Sequence, residues 1–248
     1  MNRHNLKIIA GIDDATKCPC IGSIFIAGVS ADQLTIEKWQ KIGVKDSKVI
    51  TPKKRERLAK IIKETALAFN IRQITPAQMT DLTFNLNDWE MLTCLQILNK
   101  LNKVNNINEA YIDNWEVSYK MFVSRFQSLS KRKNDIKNKK IRLNFDNFKY
   151  IKFIPEHKAD QNYTIVGAAS ILAKTASDKQ YRRYKKIYGD FGSGSPADPQ
   201  TRRFVWQHRK NPVPIIRTSW LTYKVISQLK NINDDIIIAK NKTKIKIS

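Results

Sequence analysis

The sequence predicts an α/β domain with a mixed sheet and a helical C-terminal part. Three observations carry that expectation. Short runs rich in Ile and Val, each closed by turn-like residues, read as strands. Segments with apolar residues at helical spacing lie between them. Beyond about residue 160 the pattern is mostly helical.

Each element follows from local chemistry. The chain opens on two apolar segments, Lys7–Ile12 and Ile21–Val29, which read as neighbouring strands. Thr51 before Pro52 has the form of a helix N-cap and first helical residue, and Leu58, Ile61 and Ile62 then share one face. Ala68–Ile74 reads as a third strand. From about Asn87 to Val104, Met91, Leu95, Leu98 and Leu101 recur at helical spacing. EAYID is a short strand ending on Asp113. The run Lys131–Arg142 carries seven basic residues and one acid, and predicts a mobile loop or an extended hairpin. YIKFIPEHKAD supplies a fifth strand that ends near Asp160. TIVGAASILAKTASD predicts a helix whose small residues allow close packing on a sheet. Asp198 and Pro199 start a further helix through Phe204 and Trp206. Trp89, Trp206 and Trp220 read as core residues. The expected organisation is one domain over 1–229 and a poorly ordered basic tail over 230–248.

The 248 residues carry a formal charge of +23, which points to a polyanionic partner, nucleic acid first. No basic amphipathic helix with a broad apolar face supports a membrane surface instead. The N-terminus shows no long apolar core with a small-residue cleavage site, and the apolar runs fall far short of a membrane span. Cys18, Cys20 and Cys94 form neither a zinc-ligand spacing nor a disulfide framework. Cys94 reads as an ordinary core residue. The expectation is a reduced, cytoplasmic, monomeric protein.

In this basic chain the acids stand out. Strand-like segments end on Asp13 with Asp14, on Asp113, and in the region of Glu156 and Asp160. Sites in open α/β sheets gather outside the carboxyl ends of strands. Two consecutive acids face one site only if the strand ends there and the backbone turns. Carboxylates crowded together repel unless divalent cations sit among them, and all-oxygen ligation suits Mg²⁺ or Mn²⁺. Two such ions roughly 4 Å apart serve phosphodiester hydrolysis. The ordinary alternative for each acid alone is a turn or a cap.

Eight motifs then occur in fixed order: GIDDA, KDSK at Lys45–Lys48, TPKKRERL, YID, EHKAD, AASILAK at Ala168–Lys174, YGDFGSGSPADPQT at Tyr188–Thr201 and RTSW at Arg217–Trp220. Together they resemble type 2 ribonuclease H (ribonuclease HII) in its archaeal and eukaryotic style. The resemblance implies a ribonuclease H-like fold with a central mixed five-stranded sheet flanked by helices. It implies metal-dependent cleavage of RNA in RNA–DNA hybrids, and of single ribonucleotides in duplex DNA, to 3′-hydroxyl and 5′-phosphate ends. Its four acids fall on Asp13, Asp14, Asp113 and Asp160, with Mg²⁺ or Mn²⁺ as cofactor.

This chain departs from the family pattern in three places. Where the family has Asp-Glu-Ala-Gly-Arg-Gly-Pro, it has Asp13, Asp14, Ala15, Thr16, Lys17, Cys18 and Pro19, which shortens the second acid and removes two glycines from the loop that approaches the ribose 2′-hydroxyl. Ser195 stands where the family carries a tyrosine at the ribonucleotide junction, and Ser177 stands where it carries an arginine. Lys48 and Lys174 match basic positions near the family's substrate groove, and Ser47 in KDSK is open between touching a phosphate and shaping the loop. For the two lysines, phosphate contact and a solvated side chain both remain open. His157 beside the acids is open between proton relay and a structural hydrogen bond. The rival to the nuclease reading is a divergent hybrid-binding protein that cleaves poorly.

Overall fold

A computed structural model describes residues 7–44 and 50–232. β1 (Ile8–Ala15) is the central strand of a five-stranded sheet. β2 (Ile24–Asp32) pairs antiparallel with it, and β3 (Ala68–Ile74) pairs antiparallel with β2. On the other side β4 (Glu109–Asp113) runs parallel to β1, and β5 (Lys152–Glu156) runs parallel to β4. The order β3-β2-β1-β4-β5 is the mixed sheet that the sequence predicts. The helices are α1 (Gln33–Lys41), α2 (Pro52–Thr65), α3 (Pro76–Met79), α4 (Leu86–Val104), α5 (Tyr119–Lys131), α6 (Lys133–Asn138), α7 (Ala159–Asn162), α8 (Thr164–Tyr188), α9 (Pro199–Gln207) and α10 (Leu221–Ser227).

The chain forms two compact units. Among the described residues, the first comprises those up to Ala15, Ile24–Ile74 and Leu82–Asp178; the second comprises Thr16–Ser23, Thr75–Asp81 and those from Lys179 onward. In the first, alternation along β1 divides the core. Ile9 and Ala15 pack with Ile165, Ala168, Ala169 and Leu172 of α8. Ile12 lies near Gly28, where Ile97 and Leu101 of α4 also approach. Gly11 makes the contact with α8 possible, because a Cβ there would overlap the Ile165 carbonyl. In the second unit, Cys20, Ile21, Phe191, Phe204, Val205, Ile215 and Ile216 form a core, with Tyr181, Tyr184, Trp206 and Trp220 packed on it. Trp89 and Cys94 are buried in the first unit.

Local signals set several boundaries as expected. Thr51 Oγ1 caps α2 and Asp198 caps α9, each followed by proline. β3 matches its expected range, and α4 extends the expected helix by one residue at its start.

Three expectations need correction. β1 does not stop at the acids: its pairing with β2 continues to Ala15↔Phe25, while its pairing with β4 ends at Ile12↔Ile112. β1 thus runs on past both acids, and the charge of Asp14 still acts directly on Asp13. The second strand starts at Ile24, and Ile21 instead makes an isolated bridge with Ile216. Most of the basic run Lys131–Arg142 is helical: it includes the last residue of α5 and all of α6. Ile136 is buried there, and Arg132 donates to Asp135 and Asp88 carboxylates and to the Thr83 carbonyl. Those acceptors engage Arg132 of the run, which composition alone does not reveal.

Among the described residues no helix is long and apolar enough to cross a membrane. Residues 233–248, most of the expected tail, lie outside them.

Candidate active site

In the first unit, parallel register brings two acids to adjacent strand ends. Ile12 pairs with Ile112, so Asp13 and Asp113 each follow the last paired residue of the β1–β4 ladder. Asp113 Oδ1 accepts the Ala159 amide at 3.0 Å, which ties the end of β4 to the first residue of α7. Asp160 is the next residue. The turn into α7 passes through Lys158 at φ 58°, a left-handed conformation.

Asp13 and Asp160 are 4% and 2% exposed, whereas Asp14 and Asp113 are half-buried. Burial drives the Asp13 carboxyl well above its ordinary value of 3.8, and the neighbouring charges of Asp14, Asp113 and Asp160 push it the same way. A hydrogen bond with Ser170 of α8 opposes them. Asp13 Oδ1 also accepts the Asp14 amide at 2.7 Å. The four acids thus share one electrostatic neighbourhood. Among the described residues, no three His, Cys, Asp or Glu side chains converge as a ready-made cation cage.

Glu156, the other acid of its motif, is occupied: the Tyr163 hydroxyl donates to it at 2.7 Å and Asn162 Nδ2 at 2.5 Å. Tyr163 packs on Tyr111 with ring centroids 4.5 Å apart. His157 is exposed, with Nε2 3.2 Å from the Val117 carbonyl oxygen. Lys174 is half-buried on α8 one turn beyond Ser170, hence on the same helix face. Ser177 is buried on that helix.

The second unit gathers the other predicted contacts. Thr16 adopts φ 67°, so the backbone keeps a glycine-like conformation without glycine. Such a φ costs a β-branched residue roughly 1–2 kcal/mol. Two bonds hold it: Thr16 Oγ1 donates to the Ser23 carbonyl at 2.8 Å, and Arg217 Nη2 donates to the Thr16 carbonyl at 2.7 Å. Arg217 is fully buried, and its other nitrogens donate to the carbonyls of Lys17 and Gly22. Lys17 is half-buried and Cys18 is exposed.

Cys20 then joins this loop to the GSGSP segment. Its amide donates to the Gly194 carbonyl at 2.9 Å and its thiol to the same oxygen at 3.4 Å. Gly194 sits at φ 81°, and a Cβ there would strike the Tyr181 hydroxyl, which donates to the Ile21 carbonyl. Ser195 is next in the chain and half-buried, its hydroxyl accepting the Ala197 amide at 3.3 Å. Arg217 thus holds Thr16 and Lys17, and Cys20 ties the same loop to Gly194, the residue before Ser195. Ser47 and Lys48 lie outside the described residues.

Sequence reasoning missed the parts played by Ser170, Arg217 and Cys20. Each sat inside or beside a quoted motif, but its partners lie far away in the chain.

The family model for ribonuclease HII matches residues 10–223. The chain belongs to the ribonuclease HII family. Ribonuclease HII of Thermococcus sibiricus is 38% identical over 223 residues, 89% of this chain and 91% of that protein. Ribonuclease HII of Pyrococcus furiosus is 37% identical over 223 residues, with the same coverage. Among solved structures, the ribonuclease H2 of Pyrococcus horikoshii OT3 superposes with a TM-score of 0.72 at 31% identity, covering 89% of this chain and 97% of its own. The ribonuclease HII of Archaeoglobus fulgidus, solved in complex with PCNA, gives 0.68 at 26% identity, covering 91% and 99%. The sheet described above is thus a ribonuclease H-like sheet, and the ribonuclease HII family match supports an enzymatic role.

Proposed function

We propose that this chain is a divalent-cation-dependent endonuclease that cuts RNA in RNA–DNA hybrids, leaving 3′-hydroxyl and 5′-phosphate ends. Its substrates are the hybrid and, more weakly, duplex DNA carrying single ribonucleotides. The observation that carries the reading is the buried Asp13 carboxyl, pushed up by burial and by Asp14, Asp113 and Asp160.

That donor set suits Mg²⁺ or Mn²⁺. It is all oxygen, and a cation offsets the repulsion that otherwise disfavours ionised Asp13. Asp13, Asp14, Asp113 and Asp160 would hold it. A pair of such ions supplies Lewis-acid activation of water and neutralises charge on the leaving oxygen.

The chain's own residues do the rest. Ser170 holds Asp13 from α8, and the Ala159 amide holds Asp113. Lys174, on the Ser170 face, supplies a positive charge for a phosphate. The Thr16–Cys18 loop presents backbone to the 2′-hydroxyl, the group that separates RNA from DNA. Arg217 keeps that backbone in place by engaging the carbonyls of Thr16, Lys17 and Gly22. Ser195 is too small to fill the volume of a tyrosine, which favours longer RNA tracts over single-ribonucleotide junctions.

The test is a nicking assay on duplexes with one, four and many ribonucleotides, with Mg²⁺ or Mn²⁺. Cleavage of long tracts that vanishes in Asp13→Asn supports the reading. Salt-sensitive hybrid binding with no nicking at high Mn²⁺ replaces it with a binding protein.

A further inference from the structure

Glu156 stands beside Asp113: the two are register partners in the parallel β4–β5 ladder. The proposed cation site uses Asp113 and leaves Glu156 out. Both carboxylate oxygens of Glu156 are instead engaged on the segment that carries Asp160. Oε1 accepts from Asn162 Nδ2 at 2.5 Å, and Oε2 accepts from the Tyr163 hydroxyl at 2.7 Å. Tyr163 is buttressed in turn, its ring packed on that of Tyr111 with centroids 4.5 Å apart.

Asn162 is the last residue of α7, and Asp160 is its second. A single turn of helix is marginal in water on its own. This one is entered through Lys158 in the left-handed region at φ 58°, and Lys158 makes no capping bond with its side chain. Two neighbouring acids of the sheet make good the deficit. Asp113 Oδ1 holds the first residue of α7 through the Ala159 amide at 3.0 Å, and Glu156 holds the last. The Glu156 carbonyl also accepts the Asn114 amide at 3.0 Å, one residue after Asp113. One residue thus grips both segments that carry these acids.

A clamp that serves only stability is the plain alternative, and two features argue against it. Like charges on neighbouring strands disfavour a sheet, and a neutral side chain could close this turn without setting a second carboxylate beside Asp113. Asp160 is also buried, a costly place for a carboxyl unless its position is imposed.

We propose that Glu156 is a positioning residue of the cation site: through Asn162 and the Tyr163 hydroxyl it fixes the place of Asp160 relative to Asp113, without binding the ion itself. The inference rests on the cation reading above and adds to it the pair that aligns one ligand.

The experiment is calorimetric titration of Mn²⁺ into the full chain, followed by nicking of an RNA–DNA hybrid across the same Mn²⁺ range. Wild type is compared with Glu156→Gln, Tyr163→Phe and the double variant. The control is Tyr223→Phe, which removes a hydroxyl that donates to the Arg209 carbonyl in the second unit. Circular dichroism melts verify folding, and Tyr163→Phe, which keeps its ring on Tyr111, carries the test if Glu156→Gln does not fold. Loss of one aligning hydrogen bond predicts Mn²⁺ affinity about three- to tenfold weaker in each single variant. Because the two residues act through one bond, the double variant should be no weaker than Glu156→Gln alone. Half-saturating Mn²⁺ for nicking should rise by the same factor, with the rate at saturating Mn²⁺ kept. The control should bind Mn²⁺ as wild type does. Wild-type affinity in both single variants, or equal weakening in the control, overturns the inference and leaves the cation reading intact. A far larger loss in Glu156→Gln with Tyr163→Phe unchanged also overturns it, because Glu156 is then a ligand. Absence of Mn²⁺ binding by wild type overturns the cation reading and the inference with it.

Discussion

Arg217 donates a 2.7 Å hydrogen bond to the carbonyl of Thr16, two hundred residues earlier in the chain, and Thr16 is held at φ 67°. The same buried guanidinium reaches the carbonyls of Lys17 and Gly22. A C-terminal motif thus fixes the loop that follows the first two acids. Arg217→Lys keeps the charge but not the three-way fork. It should cost about 2–4 kcal/mol in a denaturant titration, since a buried charge loses hydrogen bonds. Hydrogen exchange at the Cys20 and Gly22 amides should quicken beyond that of the Gly11 amide in β1. Equal protection at all three amides would contradict the assigned role.

Asp198 gives a pH signature. Its carboxylate accepts the Ser193 amide at 2.6 Å and the Gln200 amide at 2.9 Å, and these bonds bring its pKa from 3.8 down to about 2. A depressed value means that folding gains from the charge above the unfolded pKa and loses that gain as pH falls through the folded one. Asp198→Asn keeps a capping side chain without the charge. Wild type should exceed it by about 0.3–1 kcal/mol above pH 4, with the gap closing towards pH 2. Urea titrations across that range measure the gap, and a constant difference would contradict the charge argument.

Gly11→Ala probes the seat of α8. The added methyl meets the Ile165 carbonyl, and overpacking of this kind costs about 1–3 kcal/mol. The melting temperature should drop by several degrees. Because α8 also carries Ser170, nicking should weaken more than at Gly189→Ala, where a Cβ meets nothing within 4 Å and the cost is backbone strain at φ 80° alone.

Ser195→Tyr tests the preference for long tracts. The variant should raise cleavage at a single ribonucleotide relative to a long RNA tract, with little change on the long tract itself. The measured ratio of the two rates decides it. An unchanged ratio removes Ser195 from the account of specificity.

The legibility of this chain follows the range of the interactions involved. Thr51–Pro52 and Asp198–Pro199 announce helices because a cap and its amides are near neighbours. The strand before Asp113 is legible for the same reason, but the strand expected to end near Asp160 stops at Glu156, and a left-handed turn at Lys158 puts Asp160 in α7 instead. The basic run after Lys131 was not legible as helix, because Asp88 and Thr83, which engage Arg132, lie more than forty residues earlier. Pairing of β1 through Ala15 depends on Phe25 across the hairpin, which the acids themselves do not signal. The stitching of Cys20 to Gly194 spans 174 residues and leaves no local trace.

The central claim is that Asp13, Asp14, Asp113 and Asp160 are held together to share divalent cations. Calorimetric titration of Mn²⁺ into wild type, Asp13→Asn and Asp113→Asn tests it most directly. The account predicts saturable binding to wild type that weakens at least tenfold in both variants. Equal binding by all three proteins, or none by wild type, would contradict it.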